Sequence, residues 1–298
     1  MRKGRFAAWI AVVGACGGGD TAPDAGPSRA CAEMGGEACF QIPTAPLARK
    51  DGTPIRIGCG PIVPTPAPTA VAISGDVATF GTTVPLVGAE IRLFGNPEFT
   101  TVVATATSQA DSKYVIQLPA GTPDLMWGTV AAPGMLTSYV HAYRPDLGMG
   151  DIADFNLRLF KPENLEGAAI LVKESWDPAF AVLAGYAVDC DRNVLQHAAV
   201  VLSAAAGRRE FVDGASLYYG APGAVPLAVP PEERGDTNDN GVFAVFRVPS
   251  GRALVAQVWG FSDDAAQAQG EAGLVLVAEH PLHAVANGVA QINLWPNK

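Results

Sequence analysis

At 298 residues, 49% of them hydrophobic, the chain has room for about two ordinary domains and is too apolar to be disordered throughout. Only 16% of residues are charged while Gly and Pro number 33 and 24, a balance that suits short strands and many turns better than long, salt-bridged helices. A formal charge of −9 with no cluster of Lys and Arg excludes nucleic acid as a partner, and no apolar run of about 18 residues marks a membrane-spanning helix.

Residues 1–15 have the layout of an export signal: a basic start at Arg2, Lys3 and Arg5, an apolar stretch from Phe6 to Val13, then small residues before Cys16. The segment Val13-Gly14-Ala15-Cys16 resembles the lipobox of bacterial lipoproteins, in which the chain is cut before a cysteine whose sulfur carries diacylglycerol. The resemblance implies Cys16 as the lipidated first residue of the mature chain. An ordinary cut after Ala15 also satisfies the small-x-small rule, and either route exports the chain. Gly17 after the cysteine resembles lipoproteins passed to the outer membrane. The leader holds three of the 20 basic residues and no acidic one, so the remaining chain carries 17 against 29, a net −12. Such a surface is repelled by anionic headgroups, so the expected membrane contact is the acyl anchor alone.

Residues 16–69 read as a lipid-anchored, Gly/Pro-rich spacer ending in Pro61-Ile62-Val63-Pro64-Thr65-Pro66-Ala67-Pro68, a run that favours polyproline II. With Cys16 consumed, Cys31, Cys39, Cys59 and Cys190 remain, an even number that implies disulfides in an exported protein, with three possible connectivities. Spacing suggests Cys31 with Cys39, eight apart, and Cys59 with Cys190, which would tie the N-terminal segment to a second domain. No C-x-x-C occurs and no histidine lies near these cysteines, which argues against a metal site.

From about residue 70 short alternating runs appear, and they appear twice. Ile73-Ser74-Gly75-Asp76-Val77 leads to Pro85-Leu86-Val87-Gly88-Ala89-Glu90-Ile91-Arg92-Leu93; Leu183-Ala184-Gly185-Tyr186-Ala187-Val188 leads to Ala198-Ala199-Val200-Val201-Leu202. Gln109-Ala110-Asp111-Ser112-Lys113-Tyr114 is mirrored by Asn238-Asp239-Asn240-Gly241-Val242-Phe243, the strands that follow end at Pro119-Ala120-Gly121 and Pro249-Ser250-Gly251, and each copy reaches a Trp-Gly pair, Trp127-Gly128 and Trp259-Gly260. In Ala89, Ile91 and Leu93 one face is apolar while Glu90 and Arg92 face water, the signature of a half-buried strand. The fold expected is therefore all-β: two tandem antiparallel β-sandwiches over residues 70–161 and 181–298. The linker 162–180 between them has room for one short helix begun by Pro162.

The order G-x-V, G-A-x-V-x-L, then D-x-D-G-x-Y/F and a strand ending in P-x-G resembles the carboxypeptidase regulatory-like domain, a transthyretin-like or prealbumin-like sandwich within the broader Ig-like class. Ser112 and His197 depart from the pattern by standing where the family has glycine. The resemblance implies two non-catalytic modules and no activity.

The residues themselves announce no nucleophile motif such as G-x-S-x-G. Tyr139, His141 and Tyr143 would share one strand face, and His280 and His283 flank Pro281-Leu282, which leaves a metal-dependent enzyme as a third reading. The same general sandwich occurs in intradiol dioxygenases, but where their iron-site motif resembles R-P-x-H-x-H this chain has Arg144-Pro145-Asp146-Leu147. Asp236-Thr237-Asn238-Asp239-Asn240-Gly241 resembles the opening of a calcium loop, yet Arg247 stands where the bidentate glutamate would be, and a turn explains the same residues. Trp127, Trp176, Trp259, Trp295, Tyr218 and Tyr219 could stack on sugars. Matched copies favour core roles for Trp127 and Trp259, which leaves Tyr218, Tyr219 and Trp176 as binding candidates for a carbohydrate-binding module. The leading expectation is a non-catalytic structural or binding lipoprotein of the cell envelope, without cofactor, whose partner is an envelope protein or polysaccharide.

Overall fold

The computed structural model describes residues 40–60, 63–80, 82, 84–145, 147–172, 174–220, 228–229 and 235–298. The expected signal peptide, Cys16, Cys31 and Cys39 lie outside the described residues. The first half supplies β1 (Val71–Thr79), β2 (Glu90–Phe94), β3 (Val102–Thr107), β4 (Lys113–Leu118), β5 (Met126–Ala131), β6 (Thr137–Tyr143) and β7 (Leu157–Leu159). Helix α1 (Pro162–Leu171) then leads to β8 (Ala181–Ala187), β9 (Ala199–Ser203), β10 (Ser216–Gly220), β11 (Ala228–Val229), β12 (Val242–Val248), β13 (Ala253–Gly260), the short α2 (Asp264–Ala268), β14 (Val275–His283) and β15 (Gly288–Leu294). The all-β sandwich expectation holds. α1 begins at Pro162 as the linker sequence predicts; α2 was not foreseen, although Asp263 caps it by accepting from the N–H of Ala266. No helix among the described residues is long and apolar enough to cross a membrane.

Strand alternation builds each core. In β4, Tyr114, Ile116 and Leu118 point inward while Lys113, Val115 and Gln117 face out, and with Ile73, Ile91, Leu93 and Leu159 they fill the first sandwich. The second core gathers Leu183, Val201, Phe243, Val258 and Ile292. A third cluster sets Leu165, Ala169 and Val172 of the α1 region against Val182, Tyr218, Phe246 and Val289.

The two halves share several local hydrogen-bond motifs. Ser112 and Gly241 both have positive φ, 65° and 64°, and both are followed by an N–H that donates to the preceding Asx side chain: Lys113 to Asp111 and Val242 to Asn240, each at 3.0 Å. Ser108 and Thr237 play one part in two places, their hydroxyls accepting from the N–H of Ala89 and Ala198 and donating to the carbonyls of Leu86 and Leu195. Gly88 and His197 precede those alanines with φ of 74° and 59°. The two departures from glycine therefore keep the left-handed conformation at a strain of about 1 kcal/mol each. The Trp landmarks do not correspond in register: Trp127 lies opposite Phe94, toward the end of β2, whereas Trp259 lies opposite Ala199, at the start of β9.

Sheet order shows how the halves join. One sheet runs β4-β1-β7, another β14-β13-β9, and a third, of nine strands, runs β11-β10-β12-β8-β15-β6-β5-β2-β3. β15 pairs in parallel with β8 of its own half and with β6 of the first half. β1 and β8 each carry a glycine, Gly75 and Gly185, where a Cβ would collide with the carbonyl oxygens of Phe155 and Ile292 on the neighbouring parallel segment. The segment between the second and fourth strands of each half differs: β3 pairs with β2, whereas β10 pairs with β12 in the opposite layer.

Residues 40–60, expected within the spacer, form a strap on the second half. Leu47 is buried and donates its N–H to Phe261, and a Cβ at Gly260 would run into its side chain. Arg49 bonds Asp189 and Asp191, Lys50 bonds Asp239 at 2.7 Å, and Arg56 bonds Asp191 at 2.7 Å. Cys59 is joined to Cys190 across 131 residues with Cα atoms 5.9 Å apart, the pairing suggested by the spacing. Closing a loop of that length is worth up to about 5 kcal/mol in the chain-entropy picture. Reduction, or Cys59→Ala with Cys190→Ala, is expected to lower unfolding stability by about 3–5 kcal/mol, read as a lower urea midpoint; an unchanged midpoint would show that the strap holds without its covalent tie.

Candidate functional site

Neither tyrosine at 218–219 lies in a binding loop. Ser216–Gly220 is strand β10, and both rings are only 2% exposed. Tyr218 donates its hydroxyl to Glu174 at 2.8 Å and packs edge-on to Phe246, while the Tyr219 hydroxyl accepts from the N–H of Val200 at 2.9 Å. Both rings serve packing and cannot lie flat against a sugar. Trp176 is half-buried against the α1 cluster. The proposed carbohydrate platform is corrected on these grounds: the alternating pattern of β10 is apolar on both faces because the strand is covered on one side by the second core and on the other by α1.

The expected face of Tyr139, His141 and Tyr143 is split. Ala142 has φ of 49° and the ladder between β5 and β6 shifts register there, so Tyr143 turns to the first core and stacks on Phe155 at 4.5 Å. Tyr139 and His141 stay on the opposite face, beneath Phe99, whose ring lies edge-on to both at 5.5 Å and 5.1 Å. His283 comes within 6.3 Å of the same ring. His141 is 1% exposed, neither ring nitrogen has a hydrogen-bond partner, and burial pushes its pKa down to about 3. The indole N–H of Trp127, also buried, is likewise unpartnered.

His280 is separate from this group. Its Nε2 lies 2.8 Å from the carbonyl of Trp295, burial lowers its pKa to about 4, and Trp295 in turn donates its indole N–H to Ala142 and lies under Arg144. His197 faces Asp236 at 3.4 Å on the far side of the second half, where Asp236 also accepts from the N–H and hydroxyl of Thr44. Among the described residues no group of three His, Cys, Asp or Glu is placed to hold a metal ion. In the calcium-like loop Asn238 and Asn240 accept from backbone N–H groups and Asp239 holds Lys50, so these oxygens shape the turn into β12 and fasten the strap.

The described residues form at least two cavities. One, of about 420 Å³, lies beside β9 and is lined by Ser203, Phe211, Asp213 and Arg252. The other, of about 40 Å³, lies where β7 meets the β6–β15 junction and has Arg158, Gln291 and Asn293 on its walls. Trp259 is sheltered by Arg209, whose guanidinium lies 5.5 Å from its ring and 5.3 Å from that of Phe40, while Gln257 accepts from the Trp259 indole at 2.9 Å. Sequence matching of the two Trp-Gly pairs missed this stack, because Arg209 and Phe40 come from segments remote in sequence.

No family model matches the sequence, and no curated protein matches it. Among solved structures the chain is similar to the Bacillus anthracis TIE protein, at 16% identity over 77% of this chain and 34% of that one with a TM-score of 0.23. It spans about a third of that protein's length. It is also similar to the shaft pilin SpaA of Lactobacillus rhamnosus GG, at 12% identity over 78% and 99% of the two chains with a TM-score of 0.23. GBS52, the minor pilin of Streptococcus agalactiae, matches at 11% identity over 76% and 96% with a TM-score of 0.19.

Burial of His141 and His280 in neutral form has a pH consequence. Their folded pKa values lie below the unfolded value of about 6.5, so the unfolded chain binds the extra protons and stability, full above that value, falls as the pH drops toward the folded values. From pH 7 to pH 5 the loss is about 2 kcal/mol for each histidine. His141→Phe is expected to remove about half of this loss, and to raise stability at pH 7 by about 1 kcal/mol because two unpartnered buried nitrogens disappear. Urea unfolding at both pH values checks it, and an unaltered pH slope in the variant would contradict it.

Proposed function

We propose that this chain is an exported lipoprotein, held at the outer membrane through an acylated Cys16, that serves as a non-catalytic structural or protein- and polymer-binding module of the cell envelope. The observation that carries the reading is the Cys59–Cys190 bridge, since such a bond persists in oxidising compartments outside the cytosol. The leader residues before Cys16 point the same way. Two sandwiches joined through one continuous sheet suit a load-bearing or presenting role, and their resemblance to regulatory-like domains agrees with non-catalytic modules. The strap docks on the second half before the chain enters the first, so an anchor at Cys16 would tether the molecule next to its second half. The intervening chain reaches at most roughly 80 Å when fully extended.

Labelling of expressing cells with a palmitate analogue tests the reading. The wild-type chain is expected to take up label and fractionate with outer membranes, and Cys16→Ser to lose the label and become soluble in the periplasm or medium. An unlabelled wild-type chain, or label retained by Cys16→Ser, would refute the anchor.

A further inference from the structure

An asparagine followed by glycine is open to spontaneous deamidation, because glycine has no side chain to shield its nitrogen from the asparagine carboxamide. The chain has two such pairs, Asn240-Gly241 and Asn287-Gly288. Both stand at turns that lead into a strand, β12 and β15, but the structure holds them differently.

Asn240 is tied at both reacting groups. Its Oδ1 accepts from the N–H of Val242 at 3.0 Å, and a Cβ at Gly220 would collide with its carboxamide, so that group is packed against β10. The N–H of Gly241 donates to the carbonyl of Asn238 at 3.1 Å, and the next carbonyl, of Gly241, accepts from Ala187 at 3.0 Å. Asn287 is exposed, and among the described residues no hydrogen bond engages its carboxamide. Its own N–H donates to the carbonyl of Phe180 at 3.1 Å, one peptide before the one that reacts. The peptide joining 287 to 288 precedes the first ladder pair of β15, Gly288 with Thr137, and strand ends open locally at far less cost than the sheet behind them.

We propose that Asn287 is a site of spontaneous covalent modification, converting to aspartate and isoaspartate in the folded chain while Asn240 is protected. The backbone nitrogen of Gly288 gives its proton to solvent and attacks Cγ of Asn287. The Cγ–Nδ2 bond then breaks, and the nitrogen takes a proton from water and leaves as ammonia. Water opens the resulting cyclic imide at either carbonyl, so the sum is one water consumed and one ammonia released. Opening at one carbonyl leaves aspartate. Opening at the other routes the main chain through Cβ and Cγ, which adds a methylene to the backbone just before β15, the strand shared by both halves. The inference does not depend on where the chain is anchored.

The test ages the full chain with Cys16→Ser at mildly alkaline pH, folded and in urea, and follows it by tryptic mapping. Cleavage after Arg234, Arg247 and Arg252 places Asn240 in peptide 235–247 and Asn287 in peptide 253–298. In the folded chain the second peptide is expected to gain one mass unit and to accept label from an isoaspartyl methyltransferase. It should do so at least about tenfold faster than the first, since several hydrogen bonds must open before the ring can close at Asn240. In urea both peptides are expected to convert at similar rates. Asn287→Gly suits the left-handed turn, where φ is 56°, and is expected to abolish the label in the second peptide. An unmodified 253–298 peptide in the folded chain, equal conversion of the two peptides there, a difference that persists in urea, or label retained by Asn287→Gly would each overturn the proposal.

Discussion

The parallel insertion of β15 between β8 and β6 is the constraint on which the rest of the molecule depends. Each half already has two layers, but only this strand makes the halves share a sheet. Gly185 permits it: with no side chain on β8 facing Ile292, the two backbones approach closely enough for a ladder. The junction is then sealed from both faces. Gln291 donates to Ser138 at 3.3 Å on one side, and Trp295 donates to Ala142 at 3.2 Å on the other. The companion sheets consequently lie on opposite faces of the shared sheet, and α1 covers what the second half would otherwise expose.

Duplication and divergence are visible in the same frame. The Ser108 and Thr237 hydroxyl bridges, the Asx turns at Asp111 and Asn240, and the close-approach glycines recur because each solves a local backbone problem that both halves pose. What differs is the variable segment after the second strand, which stays with β2 in the first half and crosses to β12 in the second. That crossing buries Tyr218 and Tyr219. The strap adds to the second core, against which Leu47, Phe40 and Ile57 pack.

Chemistry in this molecule is largely absorbed into architecture. His280 and Trp295 link the halves, Asp189 and Asp191 receive the strap arginines, and Asp236 binds Thr44. Among the groups left without a hydrogen-bond partner are His141, beneath Phe99, where burial opposes charge on the imidazole, and the buried indole N–H of Trp127. Phe99 itself holds φ of 55°, a conformation unusual for a bulky residue, so the loop over His141 is retained by packing against its own backbone preference.

Much of the fold was legible because it follows from local rules. Alternation in Ala89, Ile91 and Leu93 marked a half-buried strand, Asp and Asn before Ser112 and Gly241 marked turns, Pro162 marked a helix start, and spacing suggested the Cys59–Cys190 bond. The misreadings share one cause, since each needed knowledge of what lies across a layer. Tyr218-Tyr219 resembled an exposed aromatic loop until β10 was seen covered on both faces, and Tyr143 left the face of His141 because a one-residue shift in the ladder inverts every side chain beyond it. Matching Trp127 with Trp259 failed because a shared dipeptide says nothing of register. Periodicity and turn chemistry, short-range properties of the backbone, thus determined from sequence alone that this is a duplicated β-sandwich protein. Which edges pair, which are closed and where the N-terminal strap lies were decided only in the tertiary structure, because they depend on contacts between residues more than a hundred positions apart.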